Sequence, residues 1–203
     1  IKLFENLPLS KFAAIRVQDI GAAEWVRNEL PEIPIHFIAE TGNHNLTGLL
    51  RWHKYFGQQL QRFVLSSELP ISTLIIYCRS LTVPCEILAV GKILLFYTPR
   101  KLLSNFETSK NSFEFVEKIL VPSGQPQRQF RTLENQHGTF MYHHKDLFLL
   151  DFIPELQKVN LMVLRLDFRN IEIKPDCIKK IDSLLDSFDK QKVKCVFTDQ
   201  ENS

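Results

Sequence analysis

The sequence has few of the residues that announce chemistry. Its 203 residues hold four cysteines, Cys78, Cys85, Cys177 and Cys195, and no two stand in a CxxC pair. That spacing excludes a dense disulfide framework and suits a reducing compartment, so a cytoplasmic protein is expected. No phosphate loop and no GxGxxG occurs, which removes the usual nucleotide marks. Neither GxSxG nor HExxH is present, so no familiar hydrolase motif supplies a nucleophile or a metal-held water. No apolar run approaches the ~18 residues of a membrane span, and no membrane partner is expected. The opening IKLFENLPLSKF lacks a basic n-region and a cleavage site. It also lacks an initial Met, so a fragment of a longer chain is expected. With a formal net charge of +2, the chain carries no basic footprint for nucleic acid.

What is present is an ordinary globular composition, 44% hydrophobic and 24% charged, enough for one sizeable core and a single domain over residues 1–203. Strand-like and helical patterns alternate. Residues 12–21, 33–45, 61–70 and 83–90 each open as a strand. Between them stand helical patterns at 22–30, at Leu46, Leu49, Leu50, His53 and Phe56, and at 72–81, where Ser72 is the expected N-cap. Residues 104–128 are polar, without a clear period, and read as an excursion. FRTLENQHGTFMYHH (130–144) reads as a hairpin turning near His137-Gly138, DLFLLDFIPELQKV as a helix, and LMVLRLDF (161–168) as the last strand. A tail helix opens at Asp176, with Ile178, Ile181, Leu184, Leu185 and Phe188 on one stripe. Repeated strand-helix units imply a parallel sheet covered by helices. An open doubly wound sheet and a β/α barrel both fit that rhythm.

Several segments, taken in order, resemble peptidase family U32, the collagenase-like bacterial group with a β/α barrel. AIRVQDIGAA resembles its Arg-x-x-Asp-x-Gly strand through Arg16, Asp19 and Gly21. Asn45 in GNHN resembles the family asparagine, and FVLSSELP resembles a Leu-Ser-Arg-Glu-Leu strand, with Glu68 kept and Ser67 replacing the arginine. EILAVGKILLFYTPRKLLSNF (86–106) resembles the signature Glu-x-Phe-x-x-Gly-(Ser/Ala)-x-Cys-x(6)-Cys-x-x-Ser through Glu86, Gly91, Ser104 and Asn105. MYHHKDLFLLDFIPEL resembles an Asp-Leu-Cys helix through Asp146 and Leu147, and VLRLDFRN stands where the family has Ile-Glu-Gly-Arg, with Asp167 and Arg169 as stand-ins.

The resemblance implies a TIM-like (β/α) barrel, incomplete here. About six of eight strand-helix units are expected, the N-terminal two missing; each takes roughly 30 residues of a barrel of ~250. It also implies an iron-sulfur cluster in the cluster-bearing members. The signature cysteines fall here on Leu94 and Lys101, and the helix cysteine falls on Phe148. None of these can supply a thiolate, so the cluster is expected to be lost and no cofactor is expected. Cys78 and Cys85 read as small core residues.

In a barrel the groups at strand ends converge on one mouth. Arg16, Asp19, Glu40, Asn45, Glu68, Arg165 and Asp167 are therefore the candidate ligand-binding residues, with Arg16 as an anion fork and the carboxylates as a possible acid-base pair. The alternative reading of the same charges is a set of structural ion pairs. Glu86, at a strand start, reads as structural. No metal is expected: His143 and His144, adjacent on a strand, should point to opposite faces, and Asp146 should cap the helix after them. Arg100, Lys101, Arg128 and Arg131 could touch phosphate but read as a solvated face. The resemblance thus implies a divergent member, either a partner subunit of a cluster-bearing paralogue or homodimer, or a ligand-binding barrel. The alternative is a family-type enzyme, whether peptidase or oxygen-independent hydroxylase in ubiquinone synthesis or RNA modification, completed by missing N-terminal residues or by a partner.

Overall fold

In the computed structural model the described residues are 7–40, 44–104, 116–156, 159, 162–169 and 175–187. The chain divides into two units, one ending at Arg169 and one beginning at Asn170. The first unit contains β1 (Ile15–Val17), α1 (Ile20–Glu29), β2 (Ile35–Ala39), α2 (Leu46–Phe56), β3 (Leu60–Leu65), α3 (Ile71–Ser80), β4 (Cys85–Thr98), β5 (Val116–Leu120), β6 (Phe130–Asn135), β7 (Gly138–Phe148), the single turn α4 (Ile153–Leu156) and β8 (Met162–Leu166). Within the second, α5 (Pro175–Ser187) is the described element, and Asp176 lies in its first turn.

The eight strands form one mixed sheet in the order β1-β2-β3-β4-β7-β6-β5, with β8 paired to β4. It curls as half of a barrel. Five strands, β1 to β4 and β8, are mutually parallel. β5, β6 and β7 form an antiparallel arm on β4. This differs from six equivalent strand-helix units: the hairpin segment builds an arm instead of a fifth unit. The helix expected over 146–159 shrinks for the same reason, because β7 runs on to Phe148 and leaves one helical turn after it. Part of the expected polar excursion, 105–115, lies outside the described residues, but Val116–Leu120 is strand, held by a five-residue ladder to β6.

Local rules explain the elements. β2 alternates buried and half-buried residues, as period-two side chains on a one-sided sheet must. Asp19 and Asn45 each cap a helix, their side-chain oxygens accepting from the N–H of Ala22 and of Gly48 at 2.7 and 2.6 Å. α2 ends at Gly57, whose φ of 56° suits a residue without a Cβ. α3 starts one residue before the expected Ser72 cap. Pro70 occupies the cap, with its preset φ and no side-chain bond.

The odd-numbered side chains Val17, Ile35, Phe37, Ala39, Phe63, Leu65, Cys85 and Ile87 meet Ala23 and Val26 of α1, Leu49 and Phe56 of α2, and Leu74 and Cys78 of α3. Phe37 is the centre of this core, touching the rings of Trp52, Phe56 and Phe63 at centroid distances of 5.4–6.4 Å. Cys78 and Cys85 are buried in it, and the Cys85 thiol donates to the Val83 carbonyl at 3.7 Å.

β4 changes character halfway. Its first seven residues are buried; Leu94, Leu95, Phe96 and Tyr97 are exposed. Val90 pairs with Leu166 of β8 and with Phe148 of β7, so those strands lie on its opposite edges and β7 continues along the edge that β3 leaves. The segment after β4 is then tied to the arm. Buried Glu134 accepts from the N–H groups of Leu103 at 2.7 Å and Ser104 at 3.0 Å. Thr139 accepts from Leu102 N–H and donates to Glu134. Burial alone would push the Glu134 carboxyl up, but these bonds hold it at about 2. Gly138 closes the hairpin where a Cβ would lie 2.1 Å from the Thr98 carbonyl oxygen.

Truncating Phe37 to Ala should lower unfolding stability by about 3–5 kcal/mol. Urea denaturation followed by circular dichroism measures it, and a loss below about 1 kcal/mol would contradict the placement of the core.

Candidate functional site

The other face of the parallel sheet carries the opposite alternation. Arg16 of β1 pairs in register with His36 of β2, which pairs with Arg62 of β3; Val64 of β3 pairs with Glu86 of β4, and Leu88 of β4 with Arg165 of β8. Partners in a ladder share a face, so these polar side chains stand on the side away from α1, α2 and α3.

Glu86 is the centre of the group. It is 2% exposed, and a carboxylate so placed needs charged partners. Arg16 grips it as a fork, Nη1 donating to both oxygens at 3.0 and 2.8 Å and Nη2 donating at 3.0 Å. Arg62 Nη1 adds a third donor group at 3.2 Å. Arg165 stands 3.9 Å from Glu86 and 3.6 Å from Glu40. The guanidinium side chains of Arg16, Arg62 and Arg165 keep 39%, 26% and 34% of their surface exposed. Burial pushes the Glu86 carboxyl up, but the Arg16 fork, Arg62 and the field of Arg165 outweigh it, and the group stays below its ordinary value. His36 is moved down, first by burial, against its bond to Gln61 and with the help of Arg62 and Arg16. The face therefore holds three fixed cations, two carboxylates and an imidazole kept toward neutrality.

Of the residues expected to gather at a mouth, Arg16, Glu40 and Arg165 come together around Glu86. Asp19 and Asn45 are helix caps. Glu68 is exposed, 3.8 Å from His44, whose ring also bonds the Glu40 carbonyl and whose own carbonyl accepts from Tyr77 at 2.7 Å. Asp167 is clamped by Arg169 at 2.5–2.8 Å, and that bond draws its carboxyl down. Glu40 stands just after β2, whereas Arg16, Arg62, Glu86 and Arg165 lie within strands, so the charges occupy the sheet face. Glu86, read from sequence as structural, is the point on which the guanidinium groups converge. Arg62, His36 and His44 were not among the expected residues. A charge set inside an apolar strand, as in QRFVL and CEILAV, was the available signal.

The arm corrects two further expectations. Asp146 caps no helix: it lies in β7, 2.5 Å from Lys92 Nζ. His143 and His144 do not diverge. Between the pairs Lys92–Asp146 and Leu94–Tyr142 the β7 strand bulges, and the two rings approach to 4.2 Å between centroids. Among the described residues no group of three His, Cys, Asp or Glu could hold a metal ion.

Among the described residues, the positions aligned with the family's cluster cysteines carry no thiol. Leu94 and Phe148 face the β4–β7 ribbon with hydrocarbon, Lys101 follows it with an ammonium, and Cys78 and Cys85 belong to the helix-covered core. A shallow cavity of about 520 Å³ lies elsewhere, over α1 and α2, beside Arg51, Trp52 and Tyr55. Its Arg27 is already tied to Glu24 and lies over the Tyr55 ring, so the sheet face is the better candidate.

Removing the Glu86 charge should cost about 3–5 kcal/mol, because Glu86→Gln leaves the arginines facing one another. A folded carboxyl held below its unfolded value stabilises above ~4.3 and loses that contribution as pH falls through the folded value. Wild-type stability should therefore drop in acid in a step that Glu86→Gln lacks, read by urea midpoints from neutral pH downward. Equal acid sensitivity of the two proteins would contradict the network.

The model of peptidase family U32 matches residues 1–191. No curated protein and no solved structure matches the chain.

Proposed function

The chain belongs to peptidase family U32, and from that premise we propose that it is a ligand-binding member that works without an iron-sulfur cluster. The observation that carries this reading is the convergence of Arg16, Arg62 and Arg165 on one buried carboxylate, Glu86, on the sheet face turned away from α1, α2 and α3. Arg16 and Arg62, bonded to the buried counterion, are pre-oriented for a polar small molecule, and little of their side-chain freedom remains to be lost on binding. Catalysis has less support. Cluster ligation needs thiolates, and the ribbon that aligns with the cluster signature offers leucine, lysine and phenylalanine.

A second reading has its own observation. Leu94, Leu95, Phe96 and Tyr97 are all exposed on one stretch of β4, more apolar surface than a scattered single residue would give. That supports a subunit role, with a cluster-bearing family member or a second copy as partner. The family-type enzyme, peptidase or hydroxylase, would then require ligands from that partner.

Iron and acid-labile sulfide should be at background in folded protein purified anaerobically with any partner retained. Stoichiometric iron with sulfide would overturn the cluster-free reading and favour the enzyme.

A further inference from the structure

We propose that the sheet face binds an oxyanion, the carboxylate or phosphate group of a small molecule, between the guanidinium groups of Arg62 and Arg165. The inference rests on the reading of this face as a ligand site and names the chemistry of its ligand.

The three arginines are not equally engaged. Arg16 has a bidentate grip on Glu86, the strongest arrangement open to a guanidinium and a carboxylate. Arg62 makes one bond to the same carboxylate, at 3.2 Å. Arg165 makes none within hydrogen-bond distance of either neighbour, since 3.6 and 3.9 Å are ion-pair separations. The Nε–H groups of both Arg62 and Arg165 are buried without a hydrogen bond, that of Arg165 standing 3.9 Å from the Glu86 carboxylate. Buried donors are almost always satisfied, so two orphans on one face mark the place where an acceptor belongs.

Charge points the same way. Glu86 and Glu40 offset two of the three cations, and His36 is not held protonated, so the face retains one uncompensated positive charge. Glu86 cannot serve as the acceptor for every donor. Its two oxygens already receive four bonds, three from Arg16 and one from Arg62, which is about the lone-pair capacity of a carboxylate. A further oxyanion would complete Arg62 and Arg165 as Glu86 completes Arg16. A neutral hydroxyl would leave the charge unanswered.

The test is an arginine Nε–H ¹H–¹⁵N spectrum of the whole chain, titrated with inorganic phosphate, with succinate, and with chloride at matched ionic strength. Signals are assigned through Arg62→Gln and Arg165→Gln. The Arg62 and Arg165 signals should move saturably with phosphate or with succinate, and whichever saturates first identifies the headgroup. Chloride should give only a shallow, unsaturable drift. Arg165→Lys keeps the charge and loses the fork. It should bind at least about tenfold more weakly while its circular dichroism stays that of the wild type, so the result does not depend on whether the glutamine variants fold. Movement with chloride as large as with phosphate and succinate would overturn the inference, as would unchanged affinity in Arg165→Lys. Saturable movement with neutral glycerol or a neutral amide, but with neither anion, would also overturn it and leave the ligand-face reading standing. Silence toward every probe would overturn both.

Discussion

The first unit depends on one carboxylate that has no water to face. Glu86 is buried in the second position of a strand whose neighbours on both sides are parallel strands. Once that charge is inside, Arg16 from β1 and Arg62 from β3 must come to it, and Arg165 of β8 stands within its field. The interaction joins residues 70 positions apart in the chain and ties four of the five parallel strands to one point. An apolar residue there would be cheaper to bury. What the carboxylate adds is orientation: it fixes guanidinium planes that would otherwise swing over the sheet face.

The same strand that carries Glu86 also divides the architecture. From Cys85 to Gly91 β4 is core, and from Leu94 to Tyr97 it is surface. The parallel part is held through its odd-numbered residues under α1, α2 and α3, and the antiparallel part through ladders to β7 and onward to β6 and β5. The polar face belongs to the parallel part, whereas Leu94, the first position aligned with a signature cysteine, belongs to the antiparallel ribbon. The two regions that bear on function therefore rest on different packing.

Sequence reading reached the elements whose cause is local. The alternation of β2 and the stripe of α2 are properties of five to eleven consecutive residues, and they were legible. So was the turn of the β6–β7 hairpin, set by Gly138. Asp19 and Asn45 serve as helix caps, a role not expected from sequence because a capping residue and a polar site residue share the same letters, and only the accepted N–H reveals it. Asp146 was misread the other way, as a cap, since nothing near it in sequence announces Lys92 across the ladder. The histidine pair failed for a non-local reason too: a bulge depends on which residue of the partner strand lies opposite. Arg62 and His36 join the site through register, which the chain fixes only when β1, β2 and β3 are laid side by side.

The tie between Glu134 and the segment after β4 has a consequence for how such a sequence can drift. Glu134 and Thr139 accept from the N–H groups of Leu102, Leu103 and Ser104, all of them main chain. A backbone grip of this kind does not read side-chain identity. The segment is therefore anchored through its main chain, and the side chains of residues 102–104 can change without loss of that anchor.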